Sequence, residues 1–183
     1  MRRAPYALGF ALVVAASLYL LPALRAADEP VPDSPEVTEL LTQAKTHAIR
    51  LTDDSDMMYR YSLSGLSWRS HANAINGIKE HINSMGKLLK QMGEKRESAS
   101  PWQQSAIDRV TPLAAELAAN VEKTIEHINE NQIRLHTIQY REYLHANYEV
   151  ATSLSGLIGD YVAYGKNKAN YERFGSELEV PGH

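Results

Sequence analysis

The chain has 183 residues, with 19 Lys and Arg, 22 Asp and Glu, 7 His and no Cys, for a formal charge of −3. The lack of cysteine excludes disulfides, thiol catalysis, iron–sulfur clusters, thiolate zinc sites and covalent c-type haem. The mildly acidic balance excludes the clustered Lys and Arg of a nucleic-acid footprint.

Arg2 and Arg3 precede an unbroken uncharged run from Tyr6 to Leu24, with Pro22 near its end and small residues within Ala23-Leu24-Arg25-Ala26-Ala27. That order is the order of a secretory signal peptide over residues 1–26. The run of about nineteen residues is also long enough to span a bilayer as an uncleaved anchor. The two arginines would then still leave the remainder outside the cytoplasm. Both readings export the rest of the chain; a twin-arginine route is not expected, because the pair lacks its usual flanking residues. Removing residues 1–26 takes Arg2, Arg3 and Arg25 and no acid, so 19 basic residues become 16 against 22 acids and the charge moves to about −6. About 157 residues remain, enough for one domain with a core. Without disulfides, an exported domain of this size must draw its stability from packing.

Residues 27–33 (ADEPVPD) predict an extended linker, since Pro30 and Pro32 block helix and restrict the residues before them. Asp33 or Ser34 can cap a first helix, with Glu36 favoured early in it by the helix dipole. Its apolar or small positions are Val37, Leu41, Ala44, Ala48, Leu51, Ser55 and Met58, and the stretch 62–67 predicts a turn. A second helix repeats Trp68, His71, Ile75, Ile78, Ile82, Met85, Leu89 and Met92, an unbroken alternation of 3 and 4 that belongs to a helical seam and not to a strand. Gly93 and the charged run after it end that helix. Ser100-Pro101-Trp102-Gln103 starts a third, with a capping serine, proline at the first position and glutamine three residues after the cap. Ile107, Val110, Ala114, Leu117, Val121, Ile125 and Ile128 form its seam, and Pro112 inside it predicts a kink near Arg109.

Residues 129–132 predict the last turn, and a fourth helix begins at Ile133 or Leu135. It carries Tyr140, Leu144, Asn147, Ala151, Leu154, Ile158 and Tyr161 on one face. Gly156 and Gly159 cost it about 1 kcal/mol each in helix propensity, which predicts close approach of a neighbouring helix there. Residues 167–183 are polar and end near Pro181-Gly182, predicting a tail ordered at most in part. The expected fold class is therefore all-α: an antiparallel up-down-up-down four-helix bundle over residues 34–166, preceded by the signal segment.

His71 is the most informative side chain, because it takes a seam position where an aliphatic residue would pack at lower cost. Met58 and Asp54 on the first helix, His127 on the third and His136 near the fourth are expected at the same end. Such a layer could hold a metal, or haem b through a His–Met or His–His pair; the competing reading is a buried histidine bonded to a serine, a carbonyl or water. His47, His81 and His145, with Glu116, fall at a second height, but His47 and His81 lie off their seams and are expected on polar faces. Glu142-Tyr143-Leu144-His145 has the Glu-x-x-His spacing of carboxylate-bridged di-iron bundles, which require a second such step and two further inward glutamates; there is one copy here. The tyrosines at 140, 143, 148, 161, 164 and 171 suit either a binding groove or the edge of a core, and Met57, Met58, Met85 and Met92 suit soft core filling. No Gly-x-Ser-x-Gly elbow and no glycine-rich phosphate loop occurs, so nothing calls for an enzyme.

In architecture the chain resembles exported four-helix bundles such as the cytochrome b562 family of soluble haem carriers. That family places a methionine near the start of the first helix and a histidine near the end of the fourth. Ser34 to Leu41 and Leu157 to Lys166 contain neither, so the resemblance carries no ligand over. The block Ser100 to Arg109, with Glu126-His127-Ile128-Asn129 after it, is similar to an uncharacterised family of exported helical proteins and brings no activity with it. The expected function is a periplasmic or secreted, non-enzymatic binding or structural bundle that acts on a protein partner or on itself. A metal or haem b bundle built on the His71 layer, and a membrane-anchored sensory-type bundle, are the alternatives.

Overall fold

A computed structural model describes residues 31–133 and 135–178; the expected signal at 1–26 and most of the expected linker lie outside these residues. Among the described residues the protein is all-α. Four long helices occur, α1 (Pro35–Tyr61), α2 (Trp68–Glu94), α3 (Pro101–Glu130) and α4 (Ile138–Leu178), with a 3-10 turn at Arg96–Ser98 before α3. None of these helices is long and apolar enough to cross a membrane. Helices α1 and α3 each pack against both α2 and α4, so every helix has two neighbours around one core.

The heptad reading of α1 is borne out residue for residue, since Val37, Leu41, Ala44, Ala48, Leu51, Ser55 and Met58 are all buried, with Leu40 added. On the other helices the rims of the seams are less enclosed. Trp68, Ile82, Ala114, Ile125 and Tyr161 are half-buried, while His71, Ile78, Leu117, Tyr140 and Leu154 are sealed. Helix α3 is continuous through Pro112.

Capping is local and follows the sequence. The Ser34 hydroxyl accepts from the Val37 N–H at 3.3 Å, and Pro35 occupies the first helical position, where its missing N–H costs nothing. Gln103 does more than close the cap of α3. Its side-chain oxygen accepts from the N–H of Ser100 at 3.1 Å and from the N–H of Ser34 at 2.8 Å. Its amide donates to the Ser34 carbonyl at 2.8 Å and to the Thr38 hydroxyl at 3.0 Å. One fully buried carboxamide thus joins the start of α3 to the start of α1.

The same end holds a second tie. Trp102 Nε1 donates to Asp33 Oδ1 at 2.7 Å, and Lys168 Nζ reaches that oxygen at 2.8 Å. These partners hold the Asp33 carboxyl below its ordinary pKa even though burial acts against them. Near mid-bundle the Thr52 hydroxyl donates to the Ala151 carbonyl at 3.1 Å, fixing α1 against α4.

Three features of α4 differ from expectation. It starts at Ile138, because the Thr137 hydroxyl accepts from the Tyr140 N–H at 3.1 Å and supplies the cap. Ile133, expected at its start, is exposed in the connection. It also continues about three and a half turns past Gly165, supported by Lys168–Glu172 and Arg173–Glu177 pairs at i, i+4, where the polar composition predicts a loose tail. Finally, the close helix approach falls elsewhere. A Cβ on Gly156 or Gly159 would meet nothing within 4 Å, whereas one on Gly165 would lie 2.7 Å from the Trp102 ring.

Gly165→Ala is therefore expected to lower the melting temperature despite its better helix propensity, because Trp102 is held by Asp33 and cannot swing away. Gly156→Ala, in open space, should raise stability by about 1 kcal/mol. Thermal unfolding of both variants checks the pair; a stabilised Gly165→Ala would contradict this packing.

Candidate functional site

Of the residues expected in the His71 layer, the structure gathers some and separates others. His71 is fully buried on α2, and its Nδ1 lies 2.9 Å from the Tyr140 hydroxyl. Its Nε2 has no partner among the described residues. His127 stacks on the Tyr140 ring, with centroids 5.3 Å apart and planes 14° from parallel, and its Nε2 is 3.5 Å from the Thr137 hydroxyl. Both imidazoles are thus organised around Tyr140, which the sequence marks only as a seam residue. Met58 is buried in the α1 core, and His136 is exposed in the α3–α4 connection. Asp54 is turned elsewhere, with its carboxylate facing His81 at 3.8 Å.

Burial lowers the pKa of His71, and the charge of His136 lowers it further; burial likewise pushes the Tyr140 phenol up. The pair is neutral at neutral pH for that reason. One helix layer away, the Asn147 amide donates to the Thr124 hydroxyl at 2.9 Å, and Asn147 Oδ1 and Ser55 Oγ are buried without a partner among the described residues. These two layers hold most of the buried polar side chains outside the Ser100–Gln103 cap.

The second height is also divided. His47 and His81 do meet across the α1–α2 seam, with their Nδ1 atoms 3.1 Å apart. His145 is exposed at the α1–α4 edge, against the Tyr59 ring and 3.5 Å from Glu149, and Glu116 is exposed on α3. Glu142 and His145 of the Glu-x-x-His step are both exposed, while Leu144 between them is buried. Among the described residues no group of three or more His, Asp or Glu side chains is placed to hold a metal ion.

The pocket with the most apolar lining is one the sequence reading passed over. Helices α2 and α3 are less closely packed than any other neighbouring pair of long helices. The space between them is a side pocket of about 320 Å³. Ile82, Met85, Gly86, Leu89 and Lys90 on α2, and Thr111, Ala114, Ala115, Leu117 and Ala118 on α3, form its walls, with Leu51 and Leu154 at its floor. Both walls follow the i, i+3, i+4, i+7 rule of a single helix face. The pocket exists because Gly86 faces three alanines: small side chains on both helices leave the seam unfilled where α1 and α4 close theirs with Leu, Ile and Met. Its lining is nearly all carbon. The Thr111 hydroxyl is committed to the Ile107 carbonyl at 2.7 Å, leaving the Lys90 ammonium as the one charged group at the rim.

Two aromatic surfaces complete the inventory. Tyr161 bonds Ser105 at 2.8 Å and lies under Arg109, finishing the α3–α4 edge. Beyond the other helices, Tyr171, Phe174 and Leu178 are exposed on the last turns of α4. The chain matches no protein-family model, no curated protein and no solved structure.

Below about pH 6.5 the unfolded chain takes up a proton at residue 71 that the folded chain, facing Tyr61, Tyr140 and His136, refuses. Stability should then fall as pH falls, by about 1 kcal/mol per pH unit for this group. Melting curves near pH 7.5 and near pH 5.5 should show a smaller acid loss for His71→Gln than for the native chain. His47, whose pKa burial also lowers, acts equally in both proteins. Equal acid losses would contradict a neutral, desolvated His71.

Proposed function

We propose that this is an exported, non-enzymatic binding protein, built as an antiparallel up-down-up-down four-helix bundle, whose ligand is a single apolar chain carrying an anionic head. Export is supported by the positive start and the uncharged run at 6–24. The alternating topology is supported by the short connections and by the pairs that tie the elements. Ser34 meets Gln103, Asp33 meets Lys168, Glu36 meets Lys95 at 2.7 Å, and His71 meets Tyr140 at the opposite end.

The observation that carries the ligand is the α2–α3 pocket. Its volume is at the small end of ligand sites, and its walls run along about 12 Å of helix, as a chain-shaped guest requires. Filling it would remove apolar surface of Ile82, Leu89 and Ala114 from water, at roughly 25 cal/mol per Å². The charge at the rim is positive, and among the described residues Lys90 has no carboxylate partner. A carboxylate or sulfate head would meet that ammonium while its tail entered the carbon-lined interior.

Calorimetric titration with dodecanoate should give one site with a negative heat-capacity change, the mark of apolar burial. Ala118→Trp, which fills the pocket, should abolish binding without unfolding the protein, and Lys90→Ala should weaken it about tenfold, the equivalent of about 1.4 kcal/mol. Unchanged affinity in Ala118→Trp would refute this reading.

A further inference from the structure

His47 and His81 are off the helix seams, half-exposed, and yet meet. Their Nδ1 atoms are 3.1 Å apart across the α1–α2 seam, with the rings tilted by 52°. The other nitrogen of His81, Nε2, faces Asp54 Oδ2 at 3.8 Å. Asp54 stands two turns along α1 from His47 and beside Gly77, one turn before His81 on α2. A Cβ on Gly77 would lie 3.7 Å from Asp54 Oδ2.

Which nitrogen of His81 carries the proton is set by what its other nitrogen meets. A carboxylate beside Nε2 favours the proton there, so Nδ1 keeps its lone pair and directs it toward His47. Two imidazole nitrogens at this distance share either one proton or one cation. Adjacent ligands at the usual 2.0–2.1 Å from a metal are about 2.9 Å apart at a right angle and about 3.4 Å apart at the tetrahedral angle. The observed separation falls between these limits. A carboxylate holding the second nitrogen of a ligating histidine is the ordinary outer-shell arrangement of metal sites.

We propose that His47 Nδ1 and His81 Nδ1 chelate one borderline divalent cation, of the zinc or copper(II) class, with water completing its coordination and Asp54 orienting His81. Imidazole nitrogen is the donor such cations select. Asp54 and Asp53 add negative charge nearby, partly offset by Arg50. The site has two protein ligands, which predicts moderate affinity and an exchangeable cation. It lies on the α1–α2 seam, away from the apolar pocket, and its test is independent of that reading.

The experiment is a competition titration of Zn(II) against a chromophoric chelator, on untagged full chain freed of metal. One site of moderate affinity is expected, weakened at least a hundredfold by His47→Gln or His81→Gln. Asp54→Asn should weaken it about ten- to a hundredfold with the stoichiometry unchanged. Circular dichroism of each variant should retain the native helicity, since neither histidine is in the sealed core. Independently of any substitution, the 15N resonances of the native protein should show Zn(II) shifting the Nδ1 signals of residues 47 and 81 and leaving that of His71 in place. Zinc uptake that survives both histidine substitutions, a shift at His71 instead, or no uptake in excess zinc would each overturn the proposal.

Discussion

The structure depends first on a buried carboxamide. Gln103 is sealed from solvent at the junction of two helix starts, and its oxygen accepts from the N–H groups of Ser34 and Ser100, which the helix starts leave open. Without those bonds the buried N–H of Ser100 would lose its partner, at about 1–3 kcal/mol for a buried polar group, and the part-buried N–H of Ser34 would lose its own. A capping interaction that is ordinarily local thereby fixes the relative height of α1 and α3. With that height fixed, the Asp33–Trp102–Lys168 cluster can form and α4 can lie close enough for its backbone at Gly165 to touch the indole. The remaining packing is the burial of heptad side chains around a register set at this end.

That division of labour explains the character of the two ends. One end is tied by directional bonds to backbone; the other carries the His71–Tyr140–His127 group and the Thr124–Asn147 pair, polar side chains bonded to one another inside the core. Such groups stabilise little in net terms, but they penalise any register that leaves them unpaired. Between the ends, where Gly86 faces Ala114, Ala115 and Ala118 in the α2–α3 seam, neither device operates and the pocket remains.

Much of the fold was legible in the sequence, because a 3-4 alternation can be satisfied by one helix face only. The α1 seam and the cap at Ser100 to Gln103 follow from residue type alone. What could not be read depends on pairs distant along the chain. Gln103 looks like a cap residue until Ser34, 69 positions away, is placed beside it. Gly165 looks no different from Gly156 or Gly159 until Trp102 arrives. Thr137 was a readable cap signal obscured by apolar Ile133 and Leu135 before it. The tail was misjudged because its charges count as polar in composition, whereas their i, i+4 spacing supports helix. His71 and His127 were rightly expected at one end, but Tyr140 as their common partner, and Asp54 as a partner of His81, require the seam geometry. The pocket had a signal that went unused: Gly86 opposite Ala114, Ala115 and Ala118 leaves a seam short of volume.

Read together, the tied end, the polar layers and the unfilled seam describe a scaffold that is rigid at its ends and open along one side. The most direct measurement of the central claim is native mass spectrometry of the protein isolated from the cells that make it, beside Ala118→Trp isolated in the same way. The native chain is expected to carry an additional mass in the range of a single-chain amphiphile, released by organic extraction and missing from the filled variant. An adduct carried equally by both proteins would contradict a ligand seated between α2 and α3.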